Sequence, residues 1–222
     1  MPEHPPFVTD KELLLAALRR SYAAALLISP SSLADQIKGI GFQCLSCGQC
    51  CQGEDNSVLV FPFEIREIMA ERGQDWLQVA QPPEEGEWDS FGDFHTLEWR
   101  LKKEGLRCCF YVDGRCAIYA SRPLLCRTYP FYLVEGRLCC SECPGLGMNI
   151  EMDAAQDIAR QLILRHITEI EEAIELTERF EDFPRGRWNE GCCCCIIHDS
   201  EGEHIIPLFT AQRSSPHPRS CR

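Results

Sequence analysis

The sequence predicts an α+β fold, in which a small cysteine-rich core with short antiparallel strands packs against several helices. Three observations lead to this prediction. Eleven of the sixteen cysteines in the 222-residue chain lie between Cys44 and Cys143. Short aromatic-rich segments separated by hairpin turns lie among these cysteines and are typical of small antiparallel strands. Isoleucines recur at helical spacing over residues 153–180 and predict one long helix.

The first predicted unit covers residues 1–39 and is helical. A capping-box pattern at Thr9 predicts a helix over residues 10–28, which stops at the Ser-Pro pair that follows. A shorter helix is predicted over residues 32–38, and the glycine after it is expected to end it.

The second predicted unit covers residues 40–150 and contains most of the cysteines. A helix is predicted over residues 63–72, because a proline precedes it and a glycine follows it. Residues 81–93 are turn-rich, polar and acidic, and they predict an exposed loop. Further on, Asp-Gly at 113–114 and Glu-Gly at 135–136 mark turns between short strands.

The third predicted unit covers residues 151–209 and joins the long helix to a C-terminal hairpin. The hairpin is expected to have residues 200–202 at its tip, where Ser-Glu-Gly favours a turn. Residues 210–222 are rich in Pro, Ser and Arg and predict a disordered tail.

The charge and the apolar pattern argue against several function classes. A formal net charge of −12 argues against a nucleic-acid surface and against an anionic membrane, because both attract basic proteins. The most apolar window, residues 13–28, contains two arginines and is too short to span a bilayer. The chain starts without the basic and apolar segments of a signal peptide, so we expect a cytoplasmic protein.

A cytoplasmic location bears on the role of the cysteines. Thiols stay reduced there, so sixteen cysteines indicate metal or redox chemistry rather than disulfides. Residues 44–51 have the spacing C-x2-C-x2-C-C, in which tight turns aim neighbouring sulfurs at one ion. The spacing also matches the start of the bacterial ferredoxin motif, whose last cysteine precedes a proline, as Cys143 does here.

A second group of cysteines follows, and folding would bring it to the first. Its members are Cys108, Cys109, Cys116, Cys126, Cys139, Cys140 and Cys143. Arg122 and Arg127 stand close to Cys126 in the sequence. Their charge would offset that of a metal bound by several thiolates, and their N–H groups would bond to sulfur. Salt-bridged surface arginines are the alternative for both residues.

These segments together resemble one known family. "FQCLSCGQCC", "CCFYVDGRCAIYASRPLLCRTYPF" and "RLCCSECPG" are similar to the YkgJ-type cysteine-cluster family, over roughly residues 40–147. The cysteines and the "IY..RP..CR" core agree together, which makes the resemblance specific. The residues that match the family by position are Cys44, Cys47, Cys50, Cys51, Cys116, Arg122, Pro123, Cys126 and Arg127.

The resemblance implies a bound metal centre, either zinc or an iron–sulfur cluster, with no assigned reaction. The expected metal ligands are Cys44, Cys47, Cys50, Cys51, Cys109, Cys116, Cys126 and Cys143, with Arg122 and Arg127 beside them. The cysteine that follows C-x2-C-x2-C-C in the family corresponds to either Cys108 or Cys109. The choice of ligand among Cys139, Cys140 and Cys143 also stays open.

The identity of the metal depends on the number of ligands. A zinc site takes four, often as two separate Cys-x2-Cys pairs, whereas this chain offers seven or eight thiols with overlapping spacings. That excess favours an iron–sulfur cluster, of the 4Fe–4S type, with nearby arginines. Two metal ions, or one cluster with one zinc ion, are the alternatives.

The function that follows is metal binding without a substrate pocket of its own. One alternative is a cluster-dependent modifying enzyme, because the flagellin lysine methyltransferase carries a similar cysteine domain. Another is a structural zinc scaffold that binds a protein partner. The sequence contains no catalytic motif, neither a radical C-x3-C-x2-C nor a phosphate loop nor H-E-x-x-H, so we expect no enzyme activity.

Several other polar groups have simpler interpretations. The cysteines at 192–195 either extend the metal site, exchange disulfides or end a strand. His198 and His204 flank the last turn and are expected at the surface rather than on a metal. His166 is expected in the core. A solvated face of the long helix is predicted for Glu169, Glu171, Glu172 and Glu175.

Overall fold

The computed structural model describes residues 11–53, 56–187 and 194–207. Within these residues the α-helices are α1 (Lys11–Ala25), α2 (Pro30–Ile40), α3 (Pro62–Arg72), α4 (Trp76–Val79), α5 (Leu124–Thr128) and α6 (Met152–Arg179). The strands are β1 (Leu59–Val60), β2 (Ala80–Gln81), β3 (Glu87–Trp88), β4 (Phe94–Leu97), β5 (Trp99–Leu101), β6 (Lys103–Glu104), β7 (Arg107–Cys108), β8 (Tyr111–Val112), β9 (Arg115–Cys116), β10 (Phe131–Val134), β11 (Arg137–Cys140), β12 (Cys194–Asp199) and β13 (Gly202–Pro207). The predicted α+β class is confirmed, including the long helix α6.

The first two helices differ from their predicted bounds. α1 ends at Ala25 and α2 already begins at Pro30, because proline is favourable in the first turn of a helix. The hydroxyl of Ser29 caps α2 by accepting a hydrogen bond of 3.3 Å from the backbone N–H of Ser32. α2 continues through Gly39 to Ile40, and Gly41, whose φ of 77° suits glycine, caps its end. Thr9, the predicted cap of α1, lies outside the described residues.

The segment 81–93 is more ordered than the predicted exposed loop. It contains β3, and the side chain of Asp89 is buried. One carboxylate oxygen of Asp89 accepts hydrogen bonds of 2.8 Å from the backbone N–H groups of Phe91 and Asp93. These bonds fix a local turn that sequence composition alone does not reveal.

Most of the strand pairs are antiparallel, as predicted. β1 and β2 flank β5, and the pairs β6–β7, β8–β9 and β10–β11 are separate hairpins. The exception is a four-stranded sheet with the order β13–β12–β4–β3, in which β12 runs parallel to β4. The C-terminal hairpin therefore adds its first strand directly to the middle part of the chain.

Two hydrophobic cores are present, and the cysteines pack against one of them. The first core surrounds Trp99 and includes Ile65, Ile118 and Ile197. The second core lies between α2 and α6 and contains Phe131. The thiol-bearing residues at the first core are Cys51, Cys108, Cys109, Cys116, Cys126 and Cys195.

α6 supports both N-terminal helices. Ala155, Ala159 and Leu162 of α6 are buried against α2. Further along, Tyr22 of α1 donates a hydrogen bond of 2.9 Å to Glu171. No single helix in the described ranges is long and apolar enough to cross a membrane, although α1 and α2 pass that test as a pair bent by 80°.

Glu64 connects α3 to the helix that carries Cys126. It is 3% exposed, and its carboxylate accepts a hydrogen bond of 3.0 Å from the backbone N–H of Phe61. Its other oxygen accepts one of 2.6 Å from the N–H of Leu124, at the start of α5. Burial raises the pKa of Glu64, and these two hydrogen bonds partly offset that rise.

We expect Glu64→Ala to lower the free energy of unfolding by about 2–4 kcal/mol, because two buried N–H groups lose their acceptor. Urea unfolding followed by circular dichroism measures the change. Glu67→Ala is the matched control on the same helix, since Glu67 is 57% exposed and its contact with Arg127 spans 3.8 Å. Equal effects of the two substitutions would contradict the connecting role of Glu64.

Candidate metal centre

The first four cysteines lie on residues 43–53, here called the cysteine loop. Gly48 has a φ of 73°, after which residues 49–51 form one turn of 3-10 helix. The hydroxyl of Tyr111 donates a hydrogen bond of 3.4 Å to the carbonyl of Cys47. A Cβ at position 48 would lie 2.1 Å from the Tyr111 ring, so glycine is required there.

Cys143 is placed beside the cysteine loop by backbone pairing. The N–H of Gln43 donates a hydrogen bond of 3.0 Å to the carbonyl of Gly145, and Phe42 pairs with Leu146. A Cβ at Gly145 would meet the carbonyl oxygen of Gln43 at 2.1 Å. The close approach of the two backbones therefore depends on Gly145.

Three further cysteines reach the cysteine loop from different elements. Cys108 ends β7 and is 9% exposed, while Cys116 ends β9 and is half-buried. Cys126 lies on α5, the helix connected to Glu64, and is also half-buried. Since β8 and β9 pair with Cys116 opposite Tyr111, the same hairpin contributes one thiol and the ring that packs on Gly48.

The sulfur atoms of Cys50 and Cys51 lie 3.9 Å apart. The hydrogen bond between them lowers the pKa of Cys50 to about 7, and the Arg122 guanidinium adds a smaller effect in the same direction. The same hydrogen bond raises the pKa of Cys51. Cys50 is thus the thiol most easily deprotonated among those whose pKa is perturbed.

Five thiols are close enough to perturb one another, and we call them the thiol cluster: Cys50, Cys51, Cys108, Cys116 and Cys126. Burial raises the pKa of Cys126, and the thiols of Cys108, Cys50 and Cys116 raise it further. Burial also raises the pKa of Cys116, which Arg122 opposes. Several thiolates in one place repel one another, so the arrangement favours occupation by a cation.

Cys143 connects this cluster to Cys44 and Cys47, the two loop cysteines outside it. Burial raises its pKa, and the thiols of Cys47, Cys50 and Cys44 add to that rise. All eight of these thiols therefore belong to one region, which is reached from the loop, two hairpins, α5 and the segment after β11.

Cys109 has different neighbours from the cluster thiols, apart from the adjacent Cys108. Its sulfur lies 3.9 Å from the backbone carbonyl of Gln78, and burial raises its pKa to about 12. Its neighbouring charges are Cys108, Glu104 and Lys102.

Cys139 and Cys140 occupy β11, where they pair with Tyr132 and Phe131. Of the C-terminal cysteines, Cys192 and Cys193 lie outside the described residues. Cys194 is disulfide-bonded, and the buried Cys195 packs in the first core.

The two predicted arginines have different surroundings. Arg122 stacks on the Tyr119 ring at 3.5 Å and donates a hydrogen bond of 2.9 Å to the Tyr119 carbonyl. In that position its charge reaches the thiols of Cys50 and Cys116. Arg127 instead pairs with Glu67 at 3.8 Å. Its Nε donates a hydrogen bond to the backbone carbonyl of Arg122, so Arg127 helps to hold the backbone at Arg122.

The donor set fits a soft metal, although the thiols stand apart from one another. In the described parts of the chain, no three His, Cys, Asp or Glu side chains are positioned to hold one metal ion together. Thiolates select zinc and iron–sulfur clusters, and Arg122 supplies a compensating charge. Since Cys44, Cys47 and Cys50 are exposed on a loop, side-chain movement there is the step that would bring the sulfurs together.

A cleft of about 380 Å³ opens beside the thiol cluster. Cys50, Cys126 and Arg165 of α6 are among the residues that line it. Arg165 is bound to Glu169 at 2.6 Å and to the Thr128 hydroxyl at 3.0 Å, so its charge is already satisfied.

The described residues form an α+β fold in which several elements bring cysteine thiols near one another. Comparison with protein families matches residues 43–144, just under half of the chain, to CxxCxxCC, described as a "putative zinc- or iron-chelating domain". The matched segment contains the cysteine loop and the thiol cluster, and it belongs to the CxxCxxCC family, as the sequence resemblance indicated. No solved structure matches the chain significantly.

The expectation that His198 lies at the surface is wrong. His198 is 3% exposed, and its Nε2 forms a hydrogen bond of 2.8 Å with Nδ1 of His95, across the parallel pair of β4 and β12. His204 is half-buried, 2.8 Å from a carboxylate oxygen of Asp199. His166 is half-buried rather than in the core.

The long helix has a mixed acidic face rather than a fully solvated one. Glu171 and Glu175 are exposed, whereas Glu169 and Glu172 are half-buried. Burial raises the pKa of Glu172, and a hydrogen bond with Ser200 opposes that rise.

His198 makes stability sensitive to acid. Burial lowers its pKa to about 4, and His95 adds to that shift. The unfolded chain, with a His pKa near 6.5, therefore binds more protons than the folded chain between pH 6.5 and 4. We expect the free energy of unfolding to fall by about 2 kcal/mol from pH 7 to pH 5 through this residue, measured by urea unfolding.

The His198→Asn variant tests the origin of that pH dependence. Acid also protonates thiolates and releases metal, but the thiols are unchanged in the variant, so that effect is common to both proteins. The difference between the two pH profiles is the contribution of His198. Parallel profiles would show that His198 does not titrate in this range.

Proposed function

We propose that this chain is a metal-binding protein that holds an iron–sulfur cluster through cysteine thiolates. The observation that supports the proposal is that eight thiols from five neighbouring segments share electrostatic effects on their pKa values, with the charge of Arg122 reaching Cys50 and Cys116. Zinc requires only four ligands, so this number favours a centre with several metal atoms over a single zinc ion. Such a centre supplies electron-transfer chemistry when it is bound.

The proposed ligands are drawn from the thiol cluster and from the neighbouring loop cysteines. Cys108 replaces Cys109 in this set. The thiols of Cys116 and Cys50 raise the pKa of Cys108, whereas the sulfur of Cys109 contacts the backbone carbonyl of Gln78. The full proposed set is Cys44, Cys47, Cys50, Cys51, Cys108, Cys116, Cys126 and Cys143. A cluster uses up to four of these thiols, and the others are available for a second metal ion or for exchange during assembly.

The protein's own contribution is to hold the ligands near one another and to balance their charge. The carboxylate of Glu64 fixes the start of α5, so Cys126 has a defined position, and Gly145 brings Cys143 to the loop. The exposed part of the loop leaves a route by which metal enters from solvent.

A modifying enzyme is the second candidate, and the cleft beside Cys50 and Cys126 favours it. A cavity of about 380 Å³ falls in the range of small-molecule sites. A bound metal centre at these thiols would adjoin any molecule that enters the cleft. Binding of S-adenosylmethionine to the metal-loaded protein, measured by calorimetry, would support this candidate over simple metal binding.

We expect Cys126→Ser to remove most of the bound metal, because Cys126 is surrounded by the other cluster thiols. Anaerobic purification followed by iron, zinc and acid-labile sulfide analysis, together with the visible spectrum, measures the loss. Cys109→Ser is the matched control and should keep the wild-type metal content.

The two cysteine variants separate the proposed function from its ligand assignment. Metal lost from Cys109→Ser and retained in Cys126→Ser would overturn the assignment. A colourless wild-type protein with stoichiometric zinc and no sulfide would overturn the cluster and leave a zinc site.

Arg122→Gln is expected to lower the reduction potential of the centre without removing it. Reduction adds negative charge, and a nearby guanidinium stabilises the reduced state. Protein-film voltammetry measures the potential of the purified variant. Arg127→Gln is the control, because Arg127 is paired with Glu67 and should shift the potential less. An unchanged potential in Arg122→Gln would mean that Arg122 has a structural role only.

A further inference from the structure

Tyr129 is the residue that ends α5, the short helix that carries Cys126. Its backbone N–H donates a hydrogen bond of 3.1 Å to the carbonyl of Leu125 and so closes the last turn. Its phenol O–H donates a hydrogen bond of 2.6 Å to the backbone carbonyl of Glu142, in the segment after β11. Glu142 immediately precedes Cys143. The phenol therefore connects the helix of one proposed metal ligand to the segment of another.

A backbone hydrogen bond lies next to the bond made by the phenol. The N–H of Ser141 donates a hydrogen bond of 2.8 Å to the carbonyl of Pro130. Residues 129 and 130 are thus bonded to residues 142 and 141, so the two chain segments lie side by side at this point. The bond from the Tyr129 phenol is the one of the two that a side-chain substitution removes.

Cys143 is held from two directions as a result. On the side of the cysteine loop, the N–H of Gln43 donates a hydrogen bond of 3.0 Å to the carbonyl of Gly145. On the side of α5, the phenol of Tyr129 holds the residue before Cys143. The first bond places Cys143 beside the loop cysteines, and the second restrains its distance from Cys126.

α5 is a firm support for the second bond, because both of its ends are tied to other helices. At its start, the N–H of Leu124 donates a hydrogen bond of 2.6 Å to the carboxylate of Glu64 on α3. At its end, Arg165 of α6 donates a hydrogen bond of 3.0 Å to the hydroxyl of Thr128. The phenol bond therefore restrains the segment of Cys143 more than it restrains α5.

The phenol also lies near thiols of the candidate metal centre. Tyr129 is half-buried and lines the same cleft as Cys50 and Cys126. Burial raises the pKa of Tyr129, and three nearby thiols raise it further. These thiols belong to Cys143, Cys50 and Cys47. A restraint at this position therefore acts on the distances between proposed ligands.

We propose that Tyr129 is a positioning residue of the metal centre, whose phenol holds Cys143 where its thiolate reaches the same centre as Cys126. The proposal rests on the proposed metal-binding function, but it requires neither iron nor sulfide, because the restraint acts on the protein's own thiols. Ligands that are already held near one another bind more tightly, since less freedom is lost when the metal binds.

The Tyr129→Phe variant tests this role, because it removes the phenol oxygen and keeps the ring. Cobalt(II) is titrated anaerobically into the full chain after reduction and removal of metal, since thiolates also bind this ion. We expect the variant to bind cobalt about fivefold more weakly, because one hydrogen bond that orders a ligand is lost. The thiolate-to-cobalt charge-transfer band should also be weaker for each bound ion, since Cys143 is no longer held in place.

The Tyr22→Phe variant is the matched control. It also loses one phenol hydrogen bond, the bond of 2.9 Å to Glu171 that joins α1 to α6 away from the cysteines. It should bind cobalt as the wild type does, with the same band intensity for each bound ion. Circular dichroism checks the folding of each variant. A loss of stability alone lowers the folded fraction but leaves the intensity for each bound ion unchanged.

A double-mutant cycle shows through which thiol Tyr129 acts. In a Cys143→Ser background, Tyr129→Phe should weaken cobalt binding no further, because the ligand that it positions is absent. In a Cys44→Ser background, the loss from Tyr129→Phe should persist, because the phenol bond lies next to Cys143 and not to Cys44. Additive losses with Cys143→Ser, unchanged binding in Tyr129→Phe, or an equal loss in Tyr22→Phe would overturn the proposal.

The cobalt titration also separates this proposal from the proposed function. Wild-type protein purified with zinc and without sulfide would overturn the iron–sulfur cluster, but the cobalt results for Tyr129 would stand. Cobalt binding that is independent of Tyr129, in a protein purified with iron and sulfide, would overturn the role of Tyr129 alone. A folded wild-type chain that binds no cobalt would count against both.

Discussion

The cysteine loop is held in place chiefly by its neighbours, and the arrangement of the site depends on this constraint. Its residues contribute little to either core, since Cys51 is the only one among 43–53 that packs against one in the described structure. Backbone pairing with residues 145–147 holds one end, and pairing with Arg107 holds the other. Between them the Tyr111 ring rests on Gly48. A loop tied at its ends and exposed in its middle keeps its thiols close while letting their side chains turn.

The thiols face a conflict between burial and charge. Packing against the first core removes water from Cys126 and Cys108 and favours their neutral form. Metal binding needs the thiolate form, whose repulsion only a cation relieves. Arg122 partly meets that need, and the hydrogen bond between Cys50 and Cys51 stabilises one thiolate. The site is therefore balanced for a soft cation rather than for stable free thiols.

Short sequence patterns were sufficient to predict elements whose contacts lie close together in the chain. The isoleucine period predicted α6 to within a residue at each end, and the Asp-Gly turn predicted the β8–β9 hairpin. The pairing of β4 with β12 was not predictable, because it joins residues far apart in the chain and depends on a whole sheet. The contact of His95 with His198 spans 103 positions and follows from the same pairing.

The candidate site also contains some residues that the sequence predicted and others that it did not. Cysteine spacing predicted the loop as a source of ligands, and the resemblance predicted Cys116 and Cys126. The choice between Cys108 and Cys109 was not decidable from spacing, because consecutive residues at a strand end point to opposite sides. The overall charge of −12 also obscured the basic segment 100–127, which contains seven Lys or Arg and two Asp or Glu, because composition averages over the whole chain.

The position of β12 between β4 and β13 has a consequence for synthesis on the ribosome. Until the C-terminal hairpin has emerged, β4 has an open edge and Ile197 is missing from the first core. While α6 is being translated, the nascent chain therefore contains the cysteines at 44–143 but lacks the complete four-stranded sheet. The four-stranded sheet and the first core are thus completed late, after the hairpin leaves the exit tunnel.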